Sequence, residues 1–273
     1  MTRSTAFLLK TALFFGFLSN VLSINTFAQK APKIYYATLS EGVKLYASPS
    51  IQADALATVA YGSQVTFSNS DIDQLEMVNN SLVINGTRTY WMKVIYNTVK
   101  GYVLKNNFAT IKPPKENTGA LSDWVKQLSQ PIGNKWENGK ISETLSESEN
   151  DNYFSRQIFQ NGMLLTSTSG FDVNFSEALQ IPHTDVLTVY NLIKNIGSFY
   201  RILKLNTALP EGNTIVKDSE GNVYQWKILR KTQEGSEDKS LKSIEIIWNN
   251  GINNTLSISA MGNDIVVFYE NTL

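Results

Sequence analysis

No cysteine occurs in this chain of 273 residues, and histidine occurs once, as His183. The first absence excludes disulfide staples, thiolate catalysis and a lipid anchor attached through a cysteine, so stability has to come from buried apolar surface and hydrogen bonds. The second excludes zinc centres built on two or more imidazoles. Charge is scarce as well: 24 basic against 24 acidic residues leave no net excess. Nucleic acid and anionic membrane surfaces both demand a basic patch, so neither is expected as the main partner. No phosphate-cradling glycine loop, dinucleotide fingerprint or nucleophile elbow occurs, and no cofactor is expected.

What is present begins with an export signal. Arg3 supplies a basic start, residues 11–18 an apolar run (TALFFGFL), and Thr26-Phe27-Ala28 the small residues at minus three and minus one that a signal peptidase requires. Lys10 and Ser19-Asn20 interrupt the apolar stretch well short of the ~20 residues that span a bilayer. Residues 1–28 are therefore expected to be a cleavable signal peptide. The mature chain would start at Gln29 and be soluble, exported to a periplasm or secreted. The signal carries Arg3 and Lys10 and no acid, so the mature chain is slightly acidic.

From residue 33 to 111 the chain runs in short segments rich in β-branched and aromatic residues, punctuated by Gly, Asn, Ser and Pro. Strands are expected at 34–36, 43–46, 56–60, 64–67, 75–78, 81–84, 90–96 and 101–104. That density of short strands points to a small barrel or sandwich. Two prolines, charges and Gly119 then mark residues 113–120 as an exposed linker. Beyond it, Ser122-Asp123 is expected to cap a short helix carrying Trp124, Val125 and Leu128. Residues 143–152 read as a solvated acidic loop, and 153–168 as a hairpin turning at Asn161-Gly162. One helix is expected over 184–200, capped by Thr184, with Leu187, Tyr190, Ile193 or Lys194, and Gly197 at helical spacing. Strands follow at 223–230, 243–248, 255–260 and 265–269. Alternation in 242–248 and 255–259 implies a sheet with one buried and one wet face.

Four pieces of the first module occur in a telling order. They are Gly42-Val43-Lys44-Leu45-Tyr46-Ala47-Ser48-Pro49-Ser50, the glycine-marked turn at Tyr61-Gly62-Ser63, the strand Tyr90-Trp91-Met92-Lys93-Val94, and the closing Gly101-Tyr102-Val103. In that order they resemble the bacterial SH3 domain family. The resemblance implies an SH3-like β-barrel and a docking function, for members of the family often recognise cell-wall peptides. It departs from the usual pattern at Tyr46, where arginine is frequent, at Tyr102, where tryptophan is frequent, and in an insertion over residues 68–89 that reads as an extra hairpin. The ligand groove it implies would draw on Tyr46, Tyr61, Trp91 and Tyr102, binding a peptide or glycopeptide by stacking and edge hydrogen bonds. The alternative is that these rings fill the barrel core.

The chain is thus expected to be mainly β: a signal at 1–28, an SH3-like barrel at 29–112, a linker at 113–120, and an α+β domain at 121–273 with an antiparallel sheet and one packed helix. No catalytic or metal-ligating residues are expected. His183 precedes a helix, where local pairing is the simpler role, and Glu143, Glu147, Glu149 and Asp151 lie in a polar loop where nothing raises an acid's pKa. Trp226, Trp248, Phe268 and Tyr269 fall in strands and read mostly as core, whereas Trp136 reads as an exposed contact residue. The expected function is a non-catalytic exported binding protein taking a peptide, cell-wall fragment or envelope protein. The alternatives are a structural or inhibitory subunit that uses the second domain and, behind it, a carboxylate-dependent hydrolase.

Overall fold

The computed structural model describes residues 33–67, 81–84, 87–137, 153–170, 175–205, 209–232 and 239–272. The signal peptide, the strand at 75–78, the turn at 79–80 and the acidic loop at 143–152 lie outside them. Residues Lys33–Leu273 form one compact unit containing two antiparallel sheets.

The first sheet comprises β1 (Lys33–Ala37), β2 (Val43–Tyr46), β3 (Ala55–Val59), β4 (Gln64–Phe67), β5 (Ser81–Ile84), β6 (Thr87–Tyr96), β7 (Val99–Leu104) and β8 (Phe108–Ala109). Its order is β3-β2-β7-β6-β4-β1-β8, with β5 paired to the start of β6. Alternation aims Leu45, Val65, Met92, Val94, Val103 and Phe108 into one shared core. The expected barrel does not close: β3 and β8 remain the ends of the ladder. β8 is only two residues long, too short to carry a ladder across to β3, and a register shift interrupts the β2–β3 ladder at Leu45/Tyr46.

Two glycines act as the sequence implies. Gly62 has φ +71°, and a Cβ on Gly101 would lie 2.7 Å from Leu45 Cγ and from Tyr46 O, so only glycine lets β7 pass β2 that closely. Ser81–Ile84 ladder with β6, Ile84 opposite Thr87, whereas the expected partner strand of the extra hairpin, 75–78, lies outside the described residues. The turn joining β6 to β7 uses Asn97 (φ 45°) and Thr98 (φ 73°), where a β-branched residue is strained. Thr98→Gly should therefore raise stability by about 1 kcal/mol, read as an increased denaturation midpoint; an unchanged or lower midpoint would show the strain is absent.

The second sheet holds β9 (Pro131–Glu137), β10 (Tyr153–Phe159), β11 (Leu164–Ser169), β12 (Phe175–Pro182), β13 (Thr214–Lys217), β14 (Val223–Thr232), β15 (Lys239–Asn249), β16 (Asn253–Met261) and β17 (Asp264–Thr272). Its order, β13-β14-β15-β16-β17-β12-β11-β10-β9, joins two meanders through the β17–β12 pair. The inner face presents Leu179, Ile181, Trp226, Ile244, Ile246, Leu256, Ile258 and Val267 to a core completed by helices. β9, β12 and β13 were not among the expected strands.

Three helices stand where one was expected to pack on the sheet, with the short helix after residue 120 beside it: α1 (Leu121–Leu128), α2 (Val186–Ile193) and α3 (Gly197–Leu203). α1 starts one residue before the expected cap, and the Asp123 carboxylate folds back to accept from Ala120 N at 3.2 Å. α2 is capped by Asp185, whose Oδ1 accepts from Thr188 N at 2.8 Å; Thr184 does not cap it. The expected single helix breaks at residues 194–196. Thr118 O and Gly119 O accept from Gly197 N (2.8 Å) and Ser198 N (3.1 Å), replacing the partners a continuous helix would supply.

Those carbonyls belong to residues 113–120, and here the structure corrects the sequence reading. Pro113, Pro114 and Thr118 are buried, and Trp124 Nε1 donates to Lys112 O at 3.1 Å. The segment is a partly packed strap, with Lys115, Glu116, Asn117 and Gly119 still exposed, and not a wholly exposed linker. Opposite the strap's far end, Glu177 is buried on β12, and the Ser122 hydroxyl and the N–H groups of Leu121 and Ser122 donate to it. Burial nonetheless holds its carboxyl above the ordinary value of 4.5. A raised folded pKa means a contribution to stability that is complete below the unfolded pKa and is lost as pH rises through the folded one. The native protein should lose melting temperature as pH rises from 4.5 through the raised value of Glu177, and Glu177→Gln, which keeps an acceptor without the charge, should flatten that slope. Equal slopes in the two proteins would remove Glu177 as the cause.

Candidate functional site

The faces of β2, β6 and β7 that point away from the module's core carry three of the four predicted site residues. On β6, Met92 and Val94 face the core, so Trp91 and Lys93 point outward by alternation; on β2 and β7 the outward residues include Tyr46 and Tyr102. Tyr46 and Tyr102 are direct cross-strand partners, and Tyr102 is in turn paired with Lys93. The Tyr46 ring meets Trp91 edge to face, centroids 5.5 Å apart at 88°, and Lys93 Nζ lies 5.8 Å from the centre of the Tyr102 ring. Trp91 is 5% exposed yet outside the module's core cluster, while Tyr46 and Tyr102 are half-buried. The choice between groove and core thus divides within the cluster. Trp91 is a buried floor, and the tyrosines are its accessible walls.

Tyr61 belongs elsewhere. Its hydroxyl donates to Pro114 O at 2.7 Å, fastening the β3–β4 turn to the strap, and burial raises its pKa well above that of a free phenol. It borders a cleft of about 590 Å³ between the first module, the strap and α3. A second hollow of about 310 Å³ adjoins it, sharing Ser40, Asn195 and Lys204. Its lining adds Thr38, Glu41 and Lys194. Sequence reasoning missed this cleft because its residues come from positions far apart in the chain. One signal was available: Lys194 occupies a helix position at which apolar spacing and a lysine competed.

The remaining candidates have plain placements. His183 is exposed in a left-handed turn (φ 55°) after β12, its backbone N donating to Asn263 O at 3.2 Å. Trp136 is 58% exposed on the edge strand β9 and meets Phe154 edge to face at 5.5 Å. Trp226 and Trp248 are buried, while Phe268 and Tyr269 are half-buried. Among the described residues, no group of three or more His, Cys, Asp or Glu side chains is placed to hold a metal ion.

A curled antiparallel module of short strands, with an aromatic cluster on its outer face and glycines at its tight passages, defines a small binding domain. Its family is specific: residues 41–108 match the model of the bacterial SH3 domain, and the first module is such a domain. The match covers less than half of the chain. Comparison with curated proteins and with solved structures finds no match.

Because Tyr61 ties the SH3 module to the strap through one donated hydrogen bond, Tyr61→Phe should cost about 1 kcal/mol in chemical denaturation. A cost near zero would mean that the bond contributes nothing to holding the strap.

Proposed function

We propose that the chain is an exported, non-catalytic binding protein whose SH3 domain holds an extended peptide, or a peptide-bearing wall fragment, across Tyr46, Trp91 and Tyr102. The observation that carries this reading is the outward aromatic cluster beside Lys93. Ring faces at its walls take up apolar and C–H surface, the tyrosine hydroxyls offer donors and acceptors to a peptide backbone, and the buried Trp91 keeps Tyr46 in place. Such pre-organised aromatic anchors lose little side-chain freedom on binding. Export rests on the signal in residues 1–28, and the absence of a basic excess favours a peptide or protein partner over nucleic acid. No cofactor or metal enters this function.

One observation favours a second reading, an interaction subunit that uses the second sheet. Ile132, Trp136 and Ile158, each more than half exposed, lie together on the edge strand β9 and its neighbour β10. An open, apolar strand edge is a template for another chain.

The two readings separate in one experiment. Residues 29–273 are incubated with cell-wall sacculi and with envelope proteins, beside the variants Tyr102→Ala and Trp136→Ala. The first reading expects retention on sacculi or on a wall peptide, weakened roughly tenfold to a hundredfold by Tyr102→Ala and untouched by Trp136→Ala. Retention that is lost only with Trp136→Ala, or capture of a single envelope protein with no sacculus binding, would overturn it in favour of the second.

A further inference from the structure

The cleft between the SH3 domain and the α2–α3 corner is independent of the aromatic face, and its chemistry is different. Two ammonium groups enter it from the second half of the chain. Lys194 closes the C-terminus of α2 with Nζ 4.5 Å from the centre of the Tyr190 ring, and Lys204 follows α3 with Nζ 3.9 Å from the centre of the Tyr200 ring. Both are oriented by aromatic faces and not by acids: no described carboxylate lies within ion-pair distance of either. Lys194 is half-buried, and desolvation lowers its pKa against the raising influence of Glu41, so its charge is poorly solvated at this position.

The charge of the lining limits what fits. Over both hollows three lysines, Lys115, Lys194 and Lys204, face two glutamates, Glu41 and Glu116. One net positive charge remains. A dianionic phosphate would meet the glutamates, while a neutral ligand would leave the lysines uncompensated. A single carboxylate balances the site and leaves room along the larger hollow for the chain that bears it.

We propose that this cleft binds the free carboxylate end of a short peptide between Lys194 and Lys204, with Glu41 selecting against multiply charged anions. The ligand body runs beneath the strap along the Tyr61 and Tyr200 side of the cleft. Because the site is made jointly by the SH3 domain and the α2–α3 corner, neither half of the chain contains it alone.

The test is titration calorimetry of residues 29–273 with N-acetyl-alanyl-alanine, with its C-terminal amide, and with inorganic phosphate. The acid should bind at least tenfold more tightly than the amide and than phosphate. Lys204→Gln, at an exposed position that folding tolerates, should weaken the acid tenfold or more, and Lys194→Gln should do the same if it folds. Lys227→Gln, on the far face of the second sheet, should change nothing, and Tyr102→Ala should leave this binding intact even where it abolishes retention on the wall. Equal binding of acid and amide, binding of neither, preference for phosphate, or indifference to Lys204→Gln would each overturn the proposal.

Discussion

Helix α2 has almost no wet face, and the architecture follows from that. Of its eight residues, seven are buried, including Thr188 and Asn191. A helix apolar nearly all round cannot lie on the surface of a sheet with water behind it. Val189, Leu192 and Ile193 share the core of the second sheet, and the side turned away from that sheet is covered by the SH3 domain, where Asn191 Nδ2 donates to Asn106 O at 3.0 Å. Lys105 reaches Asp185 at 3.6 Å at the same contact. The SH3 domain is therefore part of the burial of α2, which is why residues 33–273 behave as one unit and not as beads on a linker.

The strap follows from the same constraint. Once the domain is seated on α2, residues 113–120 have to cross a short and partly dry distance. The two prolines suit an extended path with few N–H groups to satisfy, and the carbonyls of Pro114, Thr118 and Gly119 accept from the Tyr61 hydroxyl, Gly197 N and Ser198 N. Thr118 is fixed at both ends, its hydroxyl donating to Lys115 O and accepting from Gln127 Nε2. The cleft is what this crossing leaves open, so its lysines, strap carbonyls and SH3 loop residues are held at fixed spacing by the contacts that bury α2.

The SH3 domain was legible because its punctuation is local. Pro49, Gly62, Gly101 and the Tyr90-to-Val94 strand act within a few residues of where they stand, and alternation placed β2 and β4 with their observed bounds. What failed was decided at a distance. The break between α2 and α3 depends on carbonyls contributed nearly eighty residues earlier, so the spacing of 184–200 could only suggest one helix. β9 carries no alternation of burial, since all seven of its residues are exposed at a sheet edge, and nothing in its sequence distinguishes it from a loop. The prolines at 113 and 114 marked an end of regular structure correctly, but burial is not written in a proline. For the site, residue type identified the aromatic cluster on β2, β6 and β7. Tyr61 stands apart from that cluster, its hydroxyl on Pro114 O, a neighbour that residue type could not announce.

The position of β17 has a consequence for how the molecule comes into being. It lies between β16 and β12, and it alone joins the meander β9–β12 to the meander β13–β17. Pairings of Phe175 with Asn271 and of Pro182 with Asp264 span nearly a hundred and just over eighty residues. Contacts of such separation form slowly, because the loop between them must be ordered before they reward it. Until residues 264–272 arrive, β12 presents a bare edge and α2 has only part of its floor. The two meanders, each built of sequence-adjacent hairpins, are therefore joined late, so a chain halted or clipped before β17 would carry two sticky half-sheets in place of one protein.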